Sequence, residues 1–233
     1  MEESTHVLAE LGPVTITWSS TITGPVITMW VIIALLAVLS ILATRRLRDV
    51  PGVLQTGAEL VVGRLREYYA ENLGREHAEK YFPVLATFYI LIIVSNYCGV
   101  LPGAGHLKGF AVPTASLSVT AGLGVIAFFT THVVGIRERG LGHYLASFAK
   151  PLILVILMLP LNILEQFIRP ISLALRLFGN MYGEEEVLTK LYEIFPIGVP
   201  LIMNVLSLLF CMLQAKVFTM LLSIYISEAA EAE

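Results

Sequence analysis

Residues 25–43 contain no charged side chain, and no other feature limits the possible folds of this chain more. A helix rises 1.5 Å per residue, so roughly 20 mostly apolar residues cross the ~30 Å hydrocarbon core of a bilayer. Residues 82–101 and 110–135 repeat the pattern. Residues 151–226 stay largely apolar, interrupted by a small set of ionisable residues and by the Gly-Glu-Glu-Glu run at 183–186, which leaves room for two more helices. With 56% hydrophobic and only 14% charged residues, the chain lies outside the range of ordinary soluble domains. The expected class is all-α: a polytopic membrane protein of about five membrane helices, the last two long and tilted, in one membrane domain over 1–233.

Charge placement orders these spans. Arg45, Arg46, Arg48, Arg64, Arg66, Arg75 and Lys80 cluster in the first connection, and Arg137, Arg139 and Lys150 in the third; the other two hold only Lys108 and Lys190. The positive-inside rule then places the amino terminus outside and, after five crossings, the carboxyl terminus in the cytoplasm. Glu2, Glu3 and Glu10 stand where a secretory signal carries positive charge, so the first apolar segment is expected to remain in the protein. Residues 55–80 read as an interfacial helix, with Val61, Leu65, Tyr68 and Tyr69 near one face and Arg64, Arg66, Glu67 and Glu71 around the rest. A solvated linker helix is the plainer alternative. Pro102, Gly103, Gly105 and Gly109 mark a short outer turn. Cys98 and Cys211 sit in apolar segments and behave as small hydrophobes.

The chemistry concentrates in residues 151–195. An arginine at the centre of a membrane helix costs about 2.5 to 3.5 kcal/mol on insertion scales, and two occur here, Arg169 and Arg176. Glu165, Arg169, Ser172, Arg176 and Asn180 recur at helical spacing and line one side of a helix. Asn204, Ser207, Cys211 and Gln214 repeat the pattern more mildly in the next helix. Two such stripes suit a shared wet path or a partner. Pro160 and Pro170 fall inside the first of these helices and favour bends. Glu165 and Arg169, four residues apart, can simply pair with each other. Arg176 has no acid one turn away on either side. Its guanidinium keeps its proton in proteins, so it is a fixed cation that needs water or a carboxylate from elsewhere.

The run RPISLALRLFGNMYGEEE, residues 169–186, closely resembles the signature of subunit a of F-type ATP synthases, as do LNILEQF before it and LQAKVFTMLLSIYIS at 213–227. The resemblance extends over most of the chain in helix order and loop character. It implies the ion-translocating stator of a rotary ATP synthase in the inner membrane of a bacterium, set against a ring of c subunits and held by peripheral-stalk b subunits. It implies that Arg176 faces the ring's ion-binding carboxylate and that two offset aqueous half-channels lead to it. Asn180 and Gln214 match polar positions near that arginine, and Glu185 matches the acid of the outer half-channel. Glu165 matches an acid that some members carry, and Ser207 stands where some carry a histidine; both are counted with the ion pathway. Lys216 stands where an apolar residue is usual. Glu184 and Glu186 suit a solvated loop face as well as an ion path.

No Walker A pattern is present, so nucleotide chemistry is expected on other subunits, and neither cofactor, metal nor nucleic acid is called for. His132 and His143 read as polar or interfacial histidines. A secondary transporter with a substrate site at Arg176 and Glu165 is the alternative, but the internal repeat expected of one is not visible. A redox subunit needs ligands that the sequence does not display.

Overall fold

A peptide group in hydrocarbon has no water to bond, so a spanning segment must close its hydrogen bonds internally, as a helix does. The computed structural model describes residues 5–11, 14–19, 24–45, 52–73, 75–100, 112–147, 155–194 and 198–231. Among these, the helices in chain order are α1 (Gly24–Thr44), α2 (Val53–Leu73), α3 (Arg75–Val100), α4 (Leu117–Arg139), α5 (Leu141–Ser147), α6 (Val155–Ile194) and α7 (Val199–Glu231). By length and composition, α1, α3, α4 and α7 can each cross a membrane. α6 is longer than any of them at 40 residues, but its charged residues dilute its apolar character. The helical class is as expected, with one addition ahead of α1. There β1 (Thr5–Leu11) pairs antiparallel with β2 (Val14–Ser19), the register shifting between Val7 and Ala9. Val14, Thr15, Ile16, Thr17 and Trp18 are residue types that suit a strand, a signal that a search for membrane spans passes over.

Three boundaries depart from the sequence expectation. The helix expected over 55–80 is divided, since α2 ends at Leu73 and α3 starts at Arg75; Gly74, the least favourable helix residue after proline, lies between them in sequence. The third span starts at Leu117 because Pro113–Ala115 forms a separate 3-10 turn whose Pro113 and Thr114 are buried. Residues 110 and 111, and the outer turn at 102–109, lie outside the described residues. The acidic run at 183–186, expected in a connection, is helical, and α6 continues to Ile194. Glutamate is a good helix former, and a lone glycine costs a helix only about 1 kcal/mol. The loop reading of Glu184 and Glu186 is therefore replaced by a helical one.

The core lies where α3, α4, α6 and α7 meet. Leu85 and Ile92 of α3, Leu177 of α6, and Phe218, Leu222 and Ile226 of α7 are almost wholly buried, and the Phe88 and Phe218 rings stack at 5.9 Å. α4 approaches α6 closely at Gly124, where a Cβ would stand 2.9 Å from the Pro170 carbonyl oxygen. α2 anchors through Leu65 and Tyr69, both buried, while Arg64, Arg66 and Glu67 stay exposed. Burial raises the pKa of the Tyr69 phenol, which stays neutral. α1 buries only Thr28 and Ile32 and leaves Trp30, Leu35 and Ile41 outward, an arrangement suited to lipid and not to water. α6 holds Pro160 and Pro170 inside the helix, as expected. Its 40 residues make it about 60 Å long at 1.5 Å per residue, twice the hydrocarbon core.

Candidate functional site

The polar residues of α6 and α7 face one another in register. Arg169 pairs with Glu228, Asn180 with Gln214 and Tyr192 with Asn204, so the partner number falls as the residue number rises, and the helices are antiparallel. From Arg169 to Tyr192 this seam runs about 35 Å along α6, close to the thickness of the hydrocarbon core.

At one end the Arg169 guanidinium donates to Glu165 Oε1 at 2.7 Å and to Glu228 Oε1 at 2.8 Å, and it lies 4.9 Å from the Tyr225 ring centroid. The pairing of Glu165 with Arg169 is thus present, with a second acid and an aromatic face that the sequence expectation did not include. Two carboxylates against one guanidinium leave no positive charge in surplus there. In the middle, Asn180 Nδ2 donates to Gln214 Oε1; Gln214 is buried, and its Nε2 has no hydrogen-bond partner among the described residues. Further along, Ser207 and Cys211 are each 1% exposed. The Ser207 hydroxyl faces the Glu184 carboxyl without closing a hydrogen bond of good geometry. At the far end Asn204 Nδ2 donates to the Tyr192 hydroxyl at 3.0 Å.

Arg176 sits between the first two rungs along α6 but forms no rung of its own with any described residue. Leu173 and Leu177 beside it turn into the core, and Arg176 itself is exposed. No hydrogen bond or ion pair ties it to any described residue. The two arginines of the stripe therefore differ in kind: Arg169 is neutralised within the chain, and Arg176 presents a charge that no described residue compensates. Glu185 is also exposed on α6.

Lys216 gains an explanation from the fold. Its ammonium lies 5.5 Å from the centroid of the Tyr68 ring of α2, an attractive cation–aromatic contact that lets the long side chain reach out of α7. His132 Nδ1 donates to the Phe128 carbonyl at 2.9 Å within its own helix, and His143 is exposed. No group of three metal-binding side chains occurs among the described residues. The sequence reading did not identify Tyr192, Tyr225 and Glu228, or the inward turn of Glu184. Helix register was the available signal, because setting Asn180 opposite Gln214 in an antiparallel pair puts Arg169 opposite Tyr225.

Comparison with known proteins fits this arrangement. The family described as ATP synthase A chain matches residues 26–227. ATP synthase subunit a 3 of Pelobacter propionicus is 43% identical over 203 residues, covering 87% of this chain and 85% of that protein. ATP synthase subunit a of Geotalea daltonii is 42% identical over the same shares. The corresponding protein of Desulfotalea psychrophila is 37% identical over 222 residues, 94% of this chain and 90% of its own length. Likeness of this extent, on a bundle of membrane-length helices, shows that the chain belongs to the ATP synthase A chain family.

Proposed function

We propose that this chain is the ion-translocating stator of a bacterial rotary ATP synthase, a single membrane unit whose Arg176 faces the ion-binding carboxylate of a rotating c ring. The observation that carries this reading is the exposed guanidinium of Arg176, for which no described residue supplies a carboxylate. A permanent cation in a membrane helix calls for a counter-charge, and a ring carboxylate meets that need once per passing subunit.

The physics of that encounter gives a motor. At 4 Å and an effective dielectric near 20, attraction between unit charges is about 4 kcal/mol, or about three pKa units at 1.36 kcal/mol each. A ring carboxylate arriving with its ion therefore releases it beside Arg176, and it re-enters lipid only after being neutralised again. The same cation repels ions that would run straight from one half-channel to the other. Glu185 and Ser207 serve the outer half-channel, Asn180 and Gln214 flank the arginine, and Glu165, held by Arg169, lies on the cytoplasmic side. In this reading the amino terminus is outside and the carboxyl terminus in the cytoplasm. The b subunits of the peripheral stalk keep the chain stationary, and ATP is made on other subunits. Each charge crossing the membrane yields about 2.3 kcal/mol per 100 mV, so several ions are needed per ATP.

The test is ATP-driven ion uptake by vesicles carrying the complex. Arg176→Ala should insert and assemble normally yet abolish coupled uptake. Coupled uptake at the parental rate would refute the assignment.

A further inference from the structure

A helix turns 100° per residue, so the three consecutive carboxylates of α6 point in three directions. Glu185 and Glu186 are exposed, whereas Glu184 is partly buried and faces α7. Across from it stands the Ser207 hydroxyl, on a residue 1% exposed and with no hydrogen bond closed to any described residue. Cys211, also 1% exposed, lies one turn further along α7 within electrostatic reach of the same carboxyl. One more turn brings Gln214, whose Nε2 is likewise without a partner among the described residues. A buried polar atom left unbonded is costly, and two that have no partner among the described residues lie along one strip of α7 that begins opposite a carboxyl.

We propose that Glu184, set against Ser207 and Cys211, is a proton-carrying site on the outer arm of the path, one step inward of the exposed Glu185. The proposal rests on the stator reading and deepens it by assigning both a residue and an ion. The carboxylate takes a proton from water on the outer side, forming one O–H bond. Passing that proton to the next water toward Arg176, about 12 Å along α6, breaks the O–H bond and restores the carboxylate, so nothing else is consumed. The Ser207 hydroxyl suits both states, because it can donate to the charged carboxylate and accept from the neutral acid. A sodium ion is served poorly. Hard cations take several oxygen ligands, and this site offers a carboxyl, one hydroxyl and a soft thiol.

The experiment uses the assembled complex in sodium-free vesicles, reading the initial rate of ATP-driven acidification with a pH-sensitive dye, normalised to the amount of complex. Glu184→Gln keeps the size and hydrogen-bonding capacity of the side chain and removes only its titration. It should slow acidification at least tenfold, whereas Glu186→Gln, with the same change in charge on an exposed site, should stay within twofold of the parent. Acidification by Glu184→Gln within twofold of the parent overturns the proposal, and so does an equal loss in Glu186→Gln. A parental rate that depends on added sodium overturns it as well. Should Glu184→Gln fail to assemble, the shorter pair decides: Glu184→Asp must pump at least tenfold faster than Glu184→Asn, and equal rates overturn the proposal. Arg176→Ala measured alongside separates the two readings, because normal pumping by that variant refutes the stator assignment itself, whereas its loss combined with normal pumping by Glu184→Gln refutes only the site at Glu184.

Discussion

Replacing Arg169 with methionine should open the end of α7 while leaving the rest of the helix pair closed. Methionine keeps the length and apolar stem of the side chain and removes the guanidinium. The bond to Glu165 lies within α6, so what the Arg169 guanidinium gives across the two helices is the bond to Glu228 and the contact with Tyr225. Hydrogen bonds to charged groups contribute about 1.5 to 3 kcal/mol, but the Glu228 side chain is 52% exposed, so about 1 kcal/mol is the fair share. The contact with the Tyr225 ring adds about 0.5 to 1 kcal/mol. The total of about 1.5 to 2 kcal/mol multiplies the population of a locally opened end by about 10 to 30. Amide hydrogen exchange on the intact complex, followed by mass spectrometry, reads that population. Exchange over residues 225–231 should accelerate by that factor, with residues around Gln214 unchanged. An acceleration below threefold, or one spread evenly along α7, would refute the idea of a local clasp.

Other consequences follow from the packing. Gly124→Ala sets a methyl 2.9 Å from the Pro170 carbonyl oxygen and 3.1 Å from Ala174 Cβ; backbone cannot move aside as a side chain does, so about 1 to 3 kcal/mol is lost. The temperature at which pumping is inactivated should fall for Gly124→Ala but not for Gly122→Ala, whose added Cβ meets nothing within 4 Å. Gln214→Leu strips Asn180 of its acceptor and should reduce the yield of assembled complex on native gels. Asn180→Leu combined with Gln214→Leu removes both partners and should restore that yield without restoring pumping.

Much of this architecture was legible in the sequence because lipid imposes a simple rule on helix length. The uncharged run at 25–43 became α1 almost residue for residue, and the four-residue spacing of Glu165 and Arg169 gave a bond that the fold contains. The acidic run at 183–186 misled for a physical reason. Charge suggests solvent, yet glutamate propagates a helix well, and α6 passes through the run without a break. Glu228 and Tyr225 were hidden because their role depends on which α7 residues stand opposite Arg169, a register that neither helix encodes alone. Lys216 was puzzling within α7, since the group that receives its charge, Tyr68, belongs to a distant part of the chain.

The exposed flank of Arg176 should lie against a ring of small subunits, and Gly179 offers a direct probe of it. This residue is exposed, within a turn of Arg176, with nothing within 4 Å of an added Cβ, so a photoreactive amino acid can be placed there without disturbing the core. Illumination of the assembled complex should give a covalent adduct with the c subunit, identified by mass spectrometry. Adducts only with lipid, or only with another segment of this same chain, would contradict the account.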